Sequence, residues 1–313
     1  MRLATMLMDP YEDQIKVLHL SDPQKEDPSA HPDTLMNNAE VELRRAQVGR
    51  TKWSIEHQTL REGWVLIGQL IYEANHLNNG NAVLVMGAQG KSADERPGSA
   101  LPGMHRPKGQ PPMGSVAEAC LNLVKVPVVL VRGQAKALDR QEDQLATLRR
   151  GKRTLEEKGK GGGPKGGHGL DITVCVDGTN LSKKAFDMGL KMCRDGAGDH
   201  LTATHVDANE WVGRPPHDLE VIRQYYEAEC SKAETNYEDL HAHFNLISKE
   251  PKHSLKDMLL EVRDAPLEKA DVVVMGSIEL SNFDQKVHLG SMAQAVAKQS
   301  SAHIMIVKNY AST

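Results

Sequence analysis

Aromatic side chains are scarce: the 313 residues include three Trp, six Tyr and three Phe, or 4%. Val, Leu, Ile, Ala and Met must therefore supply most of the core. The four cysteines (Cys120, Cys175, Cys193, Cys230) show no C-x-x-C spacing. That argues against a zinc ribbon or a dithiol redox motif and predicts reduced core thiols. No apolar run approaches the roughly 18 residues of a membrane span, and no signal-peptide pattern opens the sequence. The expected setting is cytoplasmic, with no membrane partner. A formal net charge of -4 gives no field to gather nucleic acid or an anionic surface.

What is present is a repeated unit. Val272-Val273-Val274-Met275 is too short for a helix and rich in β-branched residues, so it reads as a strand buried on both faces. Gly276-Ser277 ends it, a polar loop follows, and Gly290-Ser291 opens a helical pattern. The same order occurs earlier. Val83 to Met86 is a strand ending at Gly87, and Gly114-Ser115 opens a helix. Gly114 to Ala119 and Gly290 to Ala295 agree at four of six positions. Each copy closes on another buried strand, Val126 to Val131 and Ala302 to Val307.

The copies place the domains at 1–135 and 170–313, joined by a charged and Gly-rich linker at 136–169. In the first, Ile15 to Leu20 and Lys52 to His57 read as strands, a polar helix starts at Pro32, and an amphipathic helix is predicted over Thr59 to Leu77. In the second, strands are predicted at Asp171 to Val176, His200 to Val206 and Phe244 to Ser248. Helices are predicted over Leu181 to Cys193, Asp218 to about Leu240 and Ser254 to Lys269. Strands alternating with helices at this spacing imply βαβ units and parallel sheets. Aligned without gaps, His19-Leu20 falls on His205-Val206, and the first copy has no counterpart of Asp171 to Asp177. A missing N-terminal segment is the expected reason. The empty central slot should split the first sheet and make that unit less stable.

In open parallel sheets ligands bind beyond the carboxyl ends of strands, where the strand order reverses. Asp177 and Gly276 would meet there, with Gly290-Ser291 offering amide donors to an anion. Asp177 can equally begin the next helix as its N-cap, because Asp-Gly-Thr-Asn is turn-prone. Other motifs carry less. Gly161-x-Gly163-x-x-Gly166 has no strand before it and no helix after it, so it reads as linker. Gly90-Lys91-Ser92 lacks the first Walker glycine, Val85 standing there. His241, His243 and His253 have no further ligand at a firm metal spacing. No Ser-His-Asp or paired-carboxylate pattern occurs, so no catalytic residue is nominated.

Asp171 to Asp177, Thr204-His205-Val206, Val272 to Ser277 and the Gly290-Ser291 helix–strand ending resemble a universal stress protein domain. The first copy is similar to its last three-quarters. The resemblance implies an α/β fold of two open parallel-sheet, Rossmann-like units in tandem, often paired through the last strands. Self-association through Val126 to Val131 and Ala302 to Val307 is thus expected. It implies ATP, with Mg²⁺, as ligand, and at most slow ATP hydrolysis. By position, Asp177 and Val206 would face ribose and adenine, and Met275, Gly276, Gly290, Ser291 and Met292 the phosphates. Gly87, Gly90, Gly114 and Ser115 are the first-copy counterparts. The family pattern is Gly-x-x-Gly, nine residues, then Gly-Ser or Gly-Thr. Here Glu279 replaces the second glycine and the spacer is ten residues, while 23 residues separate Gly90 from Gly114. The site is partly degenerate, Glu279 repelling phosphate unless a metal or Lys286 compensates. The alternative is an interaction module that binds no nucleotide, its two units forming an internal pseudo-dimer.

Overall fold

The predicted alternation of apolar runs and amphipathic stretches is realised as strands and helices in a computed structural model of the chain. It describes residues 4, 12–21, 31–77, 82–88, 113–132, 169–207, 218–248, 252–260, 265–267, 269–277 and 289–308. The 136–169 linker (save residue 169), most of the 91–113 insertion, and Gly90, Glu279 and Lys286 lie outside the described residues. No helix among the described residues is long and apolar enough to cross a membrane.

By contacts the chain divides into residues 1–85 and 86–313. The division falls ahead of the first copy's last helix and strand, because that strand pairs with the second copy. The first unit holds β1 (Ile15–Ser21), α1 (Pro32–Arg45), β2 (Trp53–Thr59) and α2 (Leu66–His76). β1 and β2 form a two-stranded parallel sheet, Ile15 opposite Trp53 and Ser21 opposite Thr59. α2 begins seven residues later than the periodicity predicts. β2 runs on to Thr59, and Gly63 at φ +76° turns the chain before Leu66. Only Leu43, Trp53, Ala74 and Gln69 are buried among its described residues. Gln69 is held there by accepting from the Arg61 amide (2.9 Å) and donating to Gln58 (3.1 Å).

The remaining elements are β3 (Leu84–Gly87), which straddles the division, α3 (Ser115–Leu123), β4 (Val128–Val131), β5 (Asp171–Cys175), α4 (Asn180–Met192), β6 (His200–Asp207), α5 (Leu219–Asn236), β7 (His241–Ser248), α6 (Leu255–Leu260), β8 (Val272–Gly276), α7 (Ser291–Gln299) and β9 (His303–Val307). Their sheet has the order β3-β4-β9-β8-β5-β6-β7. β5 is the middle strand of the second copy's five and pairs parallel with β6 and β8, which pair parallel with β7 and β9. Val272, Val273 and Val274 of β8 and Ile304 and Ile306 of β9 are fully buried, as strands covered on both faces must be. Gly189 of α4 brings that helix against β5, where a Cβ would lie 2.6 Å from Val174 Cγ2. The first copy's central slot is vacant among the described residues: β1 and β2 stand in one sheet, β3 and β4 in the other.

The join between the copies is antiparallel. Val128 pairs with Ile306, Val129 with Met305 and Leu130 with Ile304. Val128, Val129 and Leu130 align with Ile304, Met305 and Ile306 in the repeat, so this is a local two-fold pairing centred on Val129 and Met305. The 126–131 and 302–307 runs, expected to seek a partner, find each other within one chain. Two cations follow the same symmetry. Lys308, 6% exposed, donates to the carbonyls of Leu121 (2.6 Å), Val124 (2.5 Å) and Cys120 (3.4 Å) at the end of α3. Its repeat counterpart Arg132 donates to the Ala297 carbonyl at the end of α7. Each closes the other copy's helix C-terminus, where carbonyls lack donor partners and the dipole favours positive charge.

Candidate functional site

The strand order reverses at β5. Chain leaving β5 goes to β6 and β7 on one side, and β8 and β9 fill the other. The carboxyl ends of β5 and β8 therefore flank a crevice. Cys175 is opposite Met275 on one side and Thr204 on the other, so Asp177, Val206 and Gly276 follow at nearly one level along the same edge. Neighbouring strands lie roughly 4.8 Å apart, which bounds their separations. Because α7 runs back antiparallel to β8 before β9 begins, its N-terminus at Gly290-Ser291 returns to this edge.

Asp177 is half-buried. Its Oδ1 accepts from the Thr179 amide (3.0 Å) and hydroxyl (2.6 Å) across Gly178 at φ +82°. Thr179, not Asp177, is the N-cap of α4, its hydroxyl accepting from the Ser182 amide at 3.2 Å. Both described bonds fall on Oδ1. Burial pushes the Cys175 thiol up to about 12, and the Asp177 charge adds to it. Burial also raises the Tyr226 phenol, whose hydroxyl lies 3.0 Å from Ser182 Oγ.

Val206 and Met275 are buried and apolar, 6% and 5% exposed. His205 Nδ1 donates to the Val176 carbonyl at 2.8 Å, fixing the backbone just ahead of Asp177. Sequence reasoning names neither Thr179 nor His205 for these tasks. The Thr-Asn start of α4 carried a signal for the cap, whereas nothing in the sequence announced the His205 contact.

Gly276 has a packing reason of its own. A Cβ there would meet Leu181 Cγ at 2.8 Å, so α4 presses on it from one face. The following amide, Ser277, donates to the Val307 carbonyl at 2.8 Å and is committed to the sheet. Other amide donors stand at the start of α7. Gly290 is buried and is its N-cap, with no capping side chain, while Ser291 is exposed and Met292 half-buried. First-turn amides of a helix have no intrahelical acceptor. In the first copy Gly87 and Gly114-Ser115 take the same places, but the Gly114 amide donates to the Ala88 carbonyl at 2.8 Å. No β5 counterpart stands beside them among the described residues. Groups of three or more His, Cys, Asp or Glu able to hold a metal are absent among the described residues.

The universal stress protein family model matches residues 171–308. Among solved structures, the universal stress protein UspA from Lactobacillus plantarum is 16% identical with a TM-score of 0.35, over 45% of this chain and 99% of that one. A functionally unknown protein from Pseudomonas aeruginosa is 14% identical with a TM-score of 0.47, over 94% of this chain and 82% of that one. A universal stress protein family protein from Arabidopsis thaliana with AMP bound is 16% identical with a TM-score of 0.29, over 45% and 93%. No curated protein matches the sequence. The residues matched by that family model, 171–308, carry β5 through β9.

Proposed function

We propose that the second copy binds an adenine nucleotide in the crevice between β5 and β8, and that the chain serves as a nucleotide-responsive regulator of universal stress type. The carrying observation is the meeting of Asp177, Val206 and Met275 at the reversal point, on the edge to which the uncapped α7 N-terminus returns. Asp177 would accept from a ribose hydroxyl, and Val206 and Met275 would pack on the base. The amides of Gly290, Ser291 and Met292, with the Ser291 hydroxyl, would donate to phosphate. Gly276 contributes by letting Leu181 seat α4 beside the site. Mg²⁺ would arrive with the phosphates of ATP, since the described residues supply no cluster of their own.

Calorimetry with ATP and Mg²⁺ tests this reading. Binding is expected in the natural sequence, weakened by Asp177→Asn and strengthened by Glu279→Gly, which removes a carboxylate from the family's glycine position. No heat at millimolar nucleotide in any of the three removes the binding claim. The β4–β9 pairing favours a second reading, in which the two copies form an internal pseudo-dimer serving as an interaction module. Under that reading Glu279→Gly changes nothing.

A further inference from the structure

We propose that the β4–β9 join holds a small monovalent anion of chloride's class, received by Arg132 Nε–H and His303 Nε2–H. Both nitrogens are buried, and neither has a hydrogen-bond partner among the described residues. They belong to one contact, the Arg132 amide donating to His303 Nδ1 at 3.1 Å. That bond fixes the tautomer: Nδ1 accepts, so the proton of the neutral ring stands on Nε2. Burial and the Arg132 charge hold the His303 imidazole down at about 4, so the ring is neutral at pH 7. Two N–H donors are thus buried beside a permanent positive charge.

The repeat supplies the comparison. At the equivalent place Lys308 directs its ammonium at the carbonyls of Cys120, Leu121 and Val124. Arg132 brings more donors than a lysine, yet its described side-chain bond is to the Ala297 carbonyl alone. Pro127 stands in the first copy where the second has His303, so the surplus donors gather on one side of the pseudo-two-fold. Burial lowers the Arg132 guanidinium, and no carboxylate among the described residues pairs with it. Glu118 of α3, which reaches α7 across the join, is taken by Lys298 at 2.8 Å. Unpaired donors in an interior cost stability, and an uncompensated buried charge costs more. A water molecule would accept from both N–H groups and leave the charge unmet, whereas an anion answers both. Arg132 is 7% and His303 1% exposed, an enclosure that shuts out a partner's carboxylate or a nucleotide phosphate and suits a single ion.

The test uses the full chain with bromide as the probe. Crystals grown in sodium bromide should show an anomalous peak within hydrogen-bond reach of Arg132 Nε and His303 Nε2. In solution, bromide replaces gluconate at constant ionic strength while amide exchange is followed in 128–132 and 303–307. Raising bromide from about 10 mM to about 300 mM should slow that exchange about tenfold, as expected for an ion that binds only the joined state. Arg132→Lys copies the other side of the pseudo-two-fold, keeping the cation and deleting Nε–H, and should lose this dependence. Should that variant not fold, the anomalous peak and the exchange of the natural sequence decide. A water alone at this place, bromide bound only elsewhere, exchange indifferent to bromide, or an equal response in Arg132→Lys would each overturn the proposal. No nucleotide enters this experiment, so its outcome is separate from that of the crevice.

Discussion

Lys308→Met tests whether the pseudo-two-fold join is dry and built as described. Lys308 is 6% exposed and donates to Leu121 and Val124 at 2.6 and 2.5 Å. Hydrogen bonds to a charged group contribute about 1.5–3 kcal/mol each, so the two short ones amount to about 3–6 kcal/mol. Burial works against them, lowering the ammonium from its ordinary 10.5 to about 8. At about 1.4 kcal/mol per pH unit, that displacement costs about 3 kcal/mol. Methionine fills similar volume, so the net loss at pH 7 should be about 0–3 kcal/mol. The pH dependence discriminates better. Between pH 8 and 10.5 the unfolded lysine keeps a proton that the folded one has lost. The unfolded state then binds more protons, and stability contributed by Lys308 rises with pH by up to about 3 kcal/mol. Buried thiols pull the other way. Cys120 is pushed up to about 11 and Cys175 and Cys230 to about 12, so they lose stability as pH rises above their ordinary 9. The readout is therefore the difference between natural sequence and variant in urea unfolding at pH 7, 8, 9 and 10. That difference should widen from pH 8 upward. A constant or shrinking difference would refute a buried Lys308.

Three further outcomes follow from the packing. Gly276→Ala should cost about 1–3 kcal/mol through overlap with Leu181, and much less in a Leu181→Ala background. Equal cost in both backgrounds, measured as a denaturation cycle, would mean that Leu181 is not what demands glycine. Val129→Asp places a carboxylate at a fully buried position in the middle of the β4–β9 pairing. It should cost more than about 3 kcal/mol and open 113–132 to protease before 171–308, and undiminished stability would argue against the pairing. Residues 12–77, with three apolar side chains and Gln69 as the buried set among the described residues, should exchange amide protons faster than 171–207. Equal protection would contradict the lower stability expected of a two-stranded sheet.

Much of this architecture is written in local sequence. The β-branched runs at 172–174, 272–275 and 303–307 become the central strands, and the Gly-Ser pairs open α3 and α7 where periodicity begins. The apolar 126–131 and 302–307 runs announce strands in need of partners, and their pairing follows. What escapes the sequence depends on contacts between distant residues. The need for glycine at 276 comes from Leu181, about a hundred positions away. The burial of Arg132 and Lys308 runs against the usual surface preference of cations, and only the antiparallel join explains it. At Asp177 the turn is legible, but whether the acid or Thr179 caps α4 depends on backbone angles around Gly178. The β7 start at His241 was similarly hidden, since alternating polar residues there carry no apolar run.

A crystal structure of the chain grown with ATP and Mg²⁺ addresses the crevice itself. Adenine against Val206, ribose within hydrogen-bond reach of Asp177 and phosphates at the Gly290–Met292 amides is the arrangement expected. Nucleotide bound at another place, or none at saturating concentration, would contradict it.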